Sequence, residues 1–445
     1  MQSRTGRFRL APALAALPLA LAAALLGQEA RAAGFQLQEN DAAGMGRAYA
    51  GSSSAPGDCA VVENNPAAMS EFNVSCLQGD LTAINFGTHF HGSGTDILGE
   101  PLTGSNGGDG GTTLPVPAIH YIRPINEQFA LGIALSVPFG FQTEYDDRWI
   151  GRYQAQTTKL QSPALTFAGS WKASDQFSVG LSFVAQRTSA TLGQAINIGT
   201  IVATETGGAL SPQEADGRGT LKGNDWGYGF GIGVLWKPTA TDRFGLNFRS
   251  QIDHSIDGRA KFEVPSNLLP LFGGAFTNTD GRADINTPAY ASASWWHTAN
   301  DRLSFGVDVG YTHWSSFKRL DVVYANPAQA AFNSPSIFNF KNTWYASVGG
   351  DYRLNDQWTL RAGVAYDETP TNDTNRDPRI PDGDRRWLSF GVGYKASETM
   401  RFDLGYAHLF VSDGRINDTT ATFDHLAGSF ESYGNLLALS GQMLF

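Results

Sequence analysis

Beyond residue 32 the sequence contains no run approaching the roughly 20 consecutive apolar residues that a membrane-crossing helix needs. Basic charge is also in deficit. The 32 Lys and Arg stand against 42 Asp and Glu, a formal net charge of −10, and such a balance argues against a nucleic-acid partner. No glycine-rich nucleotide-binding loop is present, and no nucleophile elbow or triad spacing marks a hydrolase. His89 and His91 share one face of an alternating segment, but no third metal ligand accompanies them. No catalytic site, metal or cofactor is therefore expected, and the chain does not read as an enzyme.

What is present begins with an export signal. Arg4, Arg7 and Arg9 form a positive start, residues 10–26 are rich in Ala and Leu, and Ala30-Arg31-Ala32 supplies a small-x-small cleavage pattern. Residues 1–32 are expected to be a cleaved signal peptide, and cleavage would leave the rest more acidic still. The remaining chain is long for one soluble domain but ordinary for a large barrel. If it lies in a membrane it must do so as a closed barrel, because only helices and barrels satisfy every backbone group in lipid. The 51 Gly, 28 Phe, 14 Tyr and 10 Trp, with a mean hydropathy of −0.22, fit a polar lumen behind an apolar belt. Cys59 and Cys76, in an oxidising compartment, are expected to form a disulfide contributing on the order of 3 kcal/mol; two unrelated reduced thiols are the alternative.

From about residue 80 the chain repeats period-two alternation and polar turns. Trp358, Leu360, Ala362, Val364 and Tyr366 fall on one face, against Thr359, Arg361, Gly363 and Ala365 on the other. The polar face is mostly Gly, Ala and Ser, which suits a lumen better than the Lys/Glu-rich exterior of a soluble sandwich. Short turns occur near residues 125–127, 174–175, 239–242, 300–301, 355–356 and 396–398, and long polar stretches lie at 92–113, 191–223 and 367–386. Six short turns with both barrel ends on the same side give seven hairpins, hence a fourteen-stranded antiparallel transmembrane β-barrel over residues 79–445. Strand boundaries between 260 and 300 stay open. The last alternating segment ends in Phe445, resembling the assembly signal read by outer-membrane insertion machinery.

Residues 33–78 break the pattern. Small residues dominate, and Asn65-Pro66 marks a turn opening a short helix. This stretch is expected to fold back into the lumen as a partly helical hatch; a loose tail is the alternative.

At these residues the sequence resembles the FadL-type outer-membrane transporters of long-chain fatty acids and aromatic hydrocarbons. The resemblance runs through Ala33-Gly34-Phe35-Gln36-Leu37, Gly46-Arg47-Ala48-Tyr49-Ala50-Gly51 and Asn65-Pro66-Ala67. It continues with Pro138-Phe139-Gly140, Phe248-Arg249-Ser250, Trp314-Ser315-Ser316-Phe317-Lys318 and segments at 149–153, 221–226, 360–367, 380–385 and 405–410. It implies a plugged fourteen-strand barrel in the outer membrane of a Gram-negative bacterium. Such a barrel would passively take up long-chain fatty acids or similar apolar molecules, with a groove among the outer loops, a lumen pocket, hatch movement and a lateral exit beside a kinked third strand. Aromatic hydrocarbon or alkane uptake, or a general diffusion porin, are the alternatives. A monomer embedded in outer-membrane lipid and lipopolysaccharide is expected, with the apolar molecule as partner.

By the same resemblance Asn65, Pro66 and Ala67 form the hatch signature, and Phe35 lies near the inner pocket. Pro138 either distorts or simply ends the third strand. Arg187 and Lys318 are basic residues near strand ends that could meet a ligand carboxylate, or they are solvated surface charges.

Overall fold

The computed structural model describes residues 34–333 and 335–445, so the signal-peptide reading lies outside the described residues. Fourteen antiparallel staves form one closed sheet. They are β1 (Cys76–Thr95), β2 (Thr112–Pro124), β3 (Phe129–Glu144), β4 (Thr157–Lys172), β5 (Phe177–Ile196) and β6 (Gly217–Trp236). The seventh and eighth are each broken: β7 runs Asp242–Arg249 and Ile252–Glu263, and β8 runs Thr279–Thr287 and Tyr290–Thr298. Then follow β9 (Leu303–Thr312), β10 (Thr343–Arg353), β11 (Trp358–Asp367), β12 (Arg385–Lys395), β13 (Met400–Val411 and Gly414–Thr419) and β14 (His425–Leu444). β1 and β14 pair from Cys76↔Leu444 to Thr95↔His425, which closes the sheet and leaves no edge there.

The breaks at residues 250–251 and 288–289 explain why alternation between 260 and 300 resists assignment. Each of these two staves is interrupted once, and the alternation of its two halves is out of step across the break, so one continuous period-two run does not cover the stave. The first strand also opens three residues before the expected boundary, because Cys76 already pairs with both Ile122 and Leu444.

Side chains alternate as the pleat requires. On β6, Trp226, Tyr228, Phe230, Ile232 and Trp236 face outward and exposed. Ten residues separate the two tryptophans, which at about 3.3 Å per residue and the usual tilt spans about 25 Å, the height of an apolar lipid belt. Among the described residues no helix is long and apolar enough to cross a membrane.

The segment before β1 lies against the inward face of this sheet. A short helix α1 (Ala42–Gly46), N-capped by Asp41, packs on β11, β12, β13 and β14. Helix α2 (Val61–Asn64) leads into a 3₁₀ helix (Pro66–Glu71) that packs on β3, β4, β5 and β6. Pro66 opens that helix because its missing N–H is one the first turn would leave unpaired anyway. Cys59 and Cys76 are disulfide-bonded, tying the segment to the first residue of β1.

Candidate functional site

The outer half of the lumen carries a large apolar cluster. Inward residues of β4 to β8, among them Leu160, Leu221, Ile256 and Ile285, pack with Trp314, Phe317, Phe338 and Phe340 from the loop after β9. Phe35 sits at the foot of this cluster, edge-on to Trp314 (4.6 Å between centroids), Phe317 (5.7 Å) and Phe139 (6.1 Å). Further out, helix α3 (Ile198–Thr206) buries Ile198, Ile201 and Val202 against Phe272 and Phe276 of the loop between β7 and β8. Phe262 belongs to both groups and touches Phe276 (5.8 Å) and Tyr324 (6.0 Å), so apolar contact is continuous from the outer loops down to Phe35.

Below Phe35 the wall changes. β2 pairs with β3 only from Ile119↔Leu135 to Pro124↔Ala130, leaving residues 112–118 of β2 paired with β1 alone. That free stretch carries Pro115 and Pro117, which lack the N–H a ladder to β3 would use. On the other side, β3 takes three steps from Ser136 to Phe139 while β4 takes two from Ala164 to Ser162. This bulge bends the strand. Its freed edge meets the amino-terminal segment instead: Leu37 N donates to Pro138 O (2.9 Å) and Gly140 N donates to Phe35 O (3.0 Å). Pro138 therefore stands inside β3, which continues to Glu144, and does not terminate it.

A partly open cavity of about 790 Å³, its mouth included, lies at this level. Gln36, Gln38 and Glu39, the β3 bulge, Asn247 and Arg249 before the β7 break, and Pro288 at the β8 break line it.

Polar contacts hold the segment in place. Asn65 is fully buried; its Oδ1 accepts from Ala67 N (3.1 Å) while its Nδ2 donates to Ser53 O (2.7 Å) and Val234 O (2.9 Å). A Cβ on Gly233 would run into Asn65 Oδ1, and one on Gly180 into Ala67 N, so glycine at both strand positions is what lets the backbones approach. His120 of β2 bridges Glu63 (3.2 Å) and Asp80 (3.2 Å). Arg361 of β11 bridges Asp351 (3.3 Å) and Asp403 (2.7 Å), and Arg47 reaches the same Asp351 (3.4 Å). At the segment's end, Glu71 receives Lys237 Nζ (2.6 Å) and Arg243 Nη1 (2.9 Å). Burial alone would raise the Glu71 carboxyl, but Lys237 and Arg243 together hold it below the ordinary glutamate range. At the other end, Gly34 N donates to Asp382 Oδ2 (2.6 Å), which belongs to the loop before β12.

Two basic residues singled out from the sequence do not line this cavity. Arg187 lies on the outward row between inward Gln186 and Thr188, donating to Asn224 Oδ1 (3.0 Å), and so points away from the lumen. The Lys318 side chain is exposed, and only its backbone carbonyl contributes, accepting from Phe338 N (2.9 Å). His89 and His91 face Asp109 (3.9 Å) and Glu431 (3.8 Å) separately. Sequence reasoning missed His120, Arg249, Arg361 and the Pro115/Pro117 pair. The available signals were a charge on an inward row of otherwise small residues and two prolines within one strand.

Comparison with known proteins places these features in context. Residues 23–445 match the family described as "Outer membrane protein transport protein (OMPP1/FadL/TodX)". The chain is similar to the long-chain fatty acid transport protein of Escherichia coli O6:H1, with 30% identity over 94% of this chain and 95% of the relative. It is similar to outer membrane protein P1 of Haemophilus influenzae at 29% identity, over 88% and 89% of the two chains. Among solved structures, a Pseudomonas aeruginosa FadL homologue superposes with a TM-score of 0.87 at 31% identity, covering 92% of this chain and 99% of that one. The Pseudomonas putida toluene transporter TodX shares the fold at 18% identity, with a TM-score of 0.68 over 92% and 99%.

Proposed function

The chain belongs to the OMPP1/FadL/TodX family of outer-membrane transport proteins, and from that premise we propose that it takes up long-chain fatty acids or similar hydrophobic molecules across the outer membrane. The observation that carries this reading is the junction at Phe35. One residue ends the continuous apolar column from the outer loops, and its own carbonyl holds the freed edge of β3.

A ligand caught among the outer loops gains about 0.8 kcal/mol for each CH₂ it buries. Sixteen carbons would then bind with roughly 13 kcal/mol gross, too tightly for release unless something moves. We take the moving part to be the amino-terminal segment, acting as a hatch. An acyl chain entering the aromatic cluster competes with Phe35 for the same faces of Trp314 and Phe317. Displacing Phe35 loosens its pairing with Gly140, and the ligand leaves sideways through the stretch where β2 and β3 do not pair. Diffusion down a gradient suffices for this route. A filled lumen, with α1 and the 3₁₀ helix on the inward face, argues against a general diffusion porin.

The test is uptake of labelled long-chain fatty acid by a deletion strain with and without the restored gene. Restored uptake is expected. Unchanged fatty-acid uptake in the deletion strain, alongside lost toluene or alkane uptake, would sink the fatty-acid version in favour of hydrocarbons.

A further inference from the structure

The cavity below Phe35 contains a cation that the transport reading has not used. Arg249 lies on the inward row of β7, at the last residue before the break at 250–251, and lines the cavity beside Asn247. Its Nη2 is buried and meets no hydrogen-bond acceptor among the described residues. A guanidinium with an unsatisfied buried N–H loses much of what water would have given it, and the natural remedy is an acceptor, best of all an anionic one.

Its neighbours are already engaged. Glu63, the acid that faces it electrostatically, accepts from Ser136 Oγ (2.5 Å) and sits against His120 Nε2 (3.2 Å). Glu39, also on the cavity wall, accepts from Gln38 N (2.8 Å). The remaining lining near Arg249 is neutral, with Gln36, Asn247, Tyr290 and Ser292 as hydrogen-bonding side chains. An apolar column thus ends above a chamber of mixed polar and apolar lining, walled in part by Arg249, whose buried Nη2 has no acceptor among the described residues.

Resting on the uptake reading above, we propose that Arg249 receives the carboxylate of an acyl ligand as its head group passes Phe35. This makes the chain selective for carboxylate-terminated molecules over neutral ones of the same length. The planar fork of arginine matches a carboxylate in two parallel hydrogen bonds, a pairing that an alcohol, an ester or an alkane cannot make. The same chamber is bounded by the β3 bulge, so a head group held at Arg249 stands beside the unpaired stretch of wall.

The experiment compares binding of labelled hexadecanoate and hexadecanol to the purified full-length protein in neutral detergent, for wild type, Arg249→Gln and Arg249→Lys. Loss of one charge-assisted pair weakens binding by roughly tenfold or more. The expected result is therefore a loss of about that size for hexadecanoate in Arg249→Gln, no change for hexadecanol, and partial retention of the acid preference in Arg249→Lys. Equal loss of both ligands would show a structural role and overturn the inference. Unchanged hexadecanoate binding in Arg249→Gln would overturn it too. Wild-type protein that binds neither ligand would overturn the uptake reading itself, and this inference with it.

Discussion

Phe35 stands edge-on to Trp314, with ring centroids 4.6 Å apart and planes at 77°. One ring comes from the chain's amino-terminal segment and the other from the loop after β9, so the contact joins two parts that must separate if the segment is to move.

Replacing Phe35 with Ala tests that contact. A buried Phe→Ala change typically costs about 3–5 kcal/mol where the cavity stays open. The loss here falls on the seating of the segment and not on the sheet, whose ladder is untouched. Barrel insertion, followed by the heat-dependent shift in gel mobility, is expected to be normal while fatty-acid uptake changes severalfold. Unaltered uptake would remove Phe35 from the mechanism.

Deleting residues 65–67 removes the Asn65 bonds to Ser53 and Val234 together with the cap on the 3₁₀ helix. A cap alone contributes about 1 kcal/mol, and two buried hydrogen bonds add a similar amount each. Transport is expected to fail in a protein that still inserts. A milder version, Gly233→Val, places a side chain where Asn65 Oδ1 lies, and should weaken the same docking without shortening the chain.

The gap between β2 and β3 is open to direct closure. Changing Pro115 and Pro117 to Thr restores two N–H groups, and deleting Val137 removes the extra residue of the bulge and returns β3 to register with β4. The combined variant is expected to assemble a continuous wall and to lose most uptake, with ligand binding retained. Full uptake by a verified closed barrel would exclude a lateral exit.

Acid should loosen the end of the segment. Because Lys237 and Arg243 hold Glu71 below its ordinary value of 4.5, the ion pairs contribute in full above that value and are lost as pH falls through the lowered one. Protection of the 3₁₀ helix against hydrogen exchange, taken relative to the unstructured rate at each pH, is expected to be high at neutral pH and to fall once the pH drops below that ordinary value. In Glu71→Gln that protection should already be low at neutral pH, with little further change on acidification. An identical pH profile in both proteins would mean that Glu71 does not hold the helix.

Much of the barrel could be read from single strands. The Trp358-to-Tyr366 alternation settled which residues face lipid, and the six turns counted out fourteen staves because each signal is local to a few residues. The interrupted staves could not be read in the same way: near residues 250 and 288 the break divides one stave into two segments, and no local signal says that the two halves belong to the same stave. Arg187 illustrates a second limit. Its basic character left a ligand contact and a solvated surface charge both open, because a one-residue offset in a strand sends a side chain to the opposite face; Gln186 and Thr188 hold the inward positions.

The amino-acid sequence by itself determined the architecture, since period-two patterning, turn residues and small inward side chains follow from the geometry of a pleated strand wherever it occurs. Only the tertiary structure decided the site. The pairing of Leu37 with Pro138, the fit of Asn65 against Gly233 and the placing of the Arg249 guanidinium in one chamber with Gln36 each join residues about 100 or more positions apart. Such neighbours are brought together by closure of the barrel around its own amino-terminal segment, and nothing in the local chain encodes their proximity.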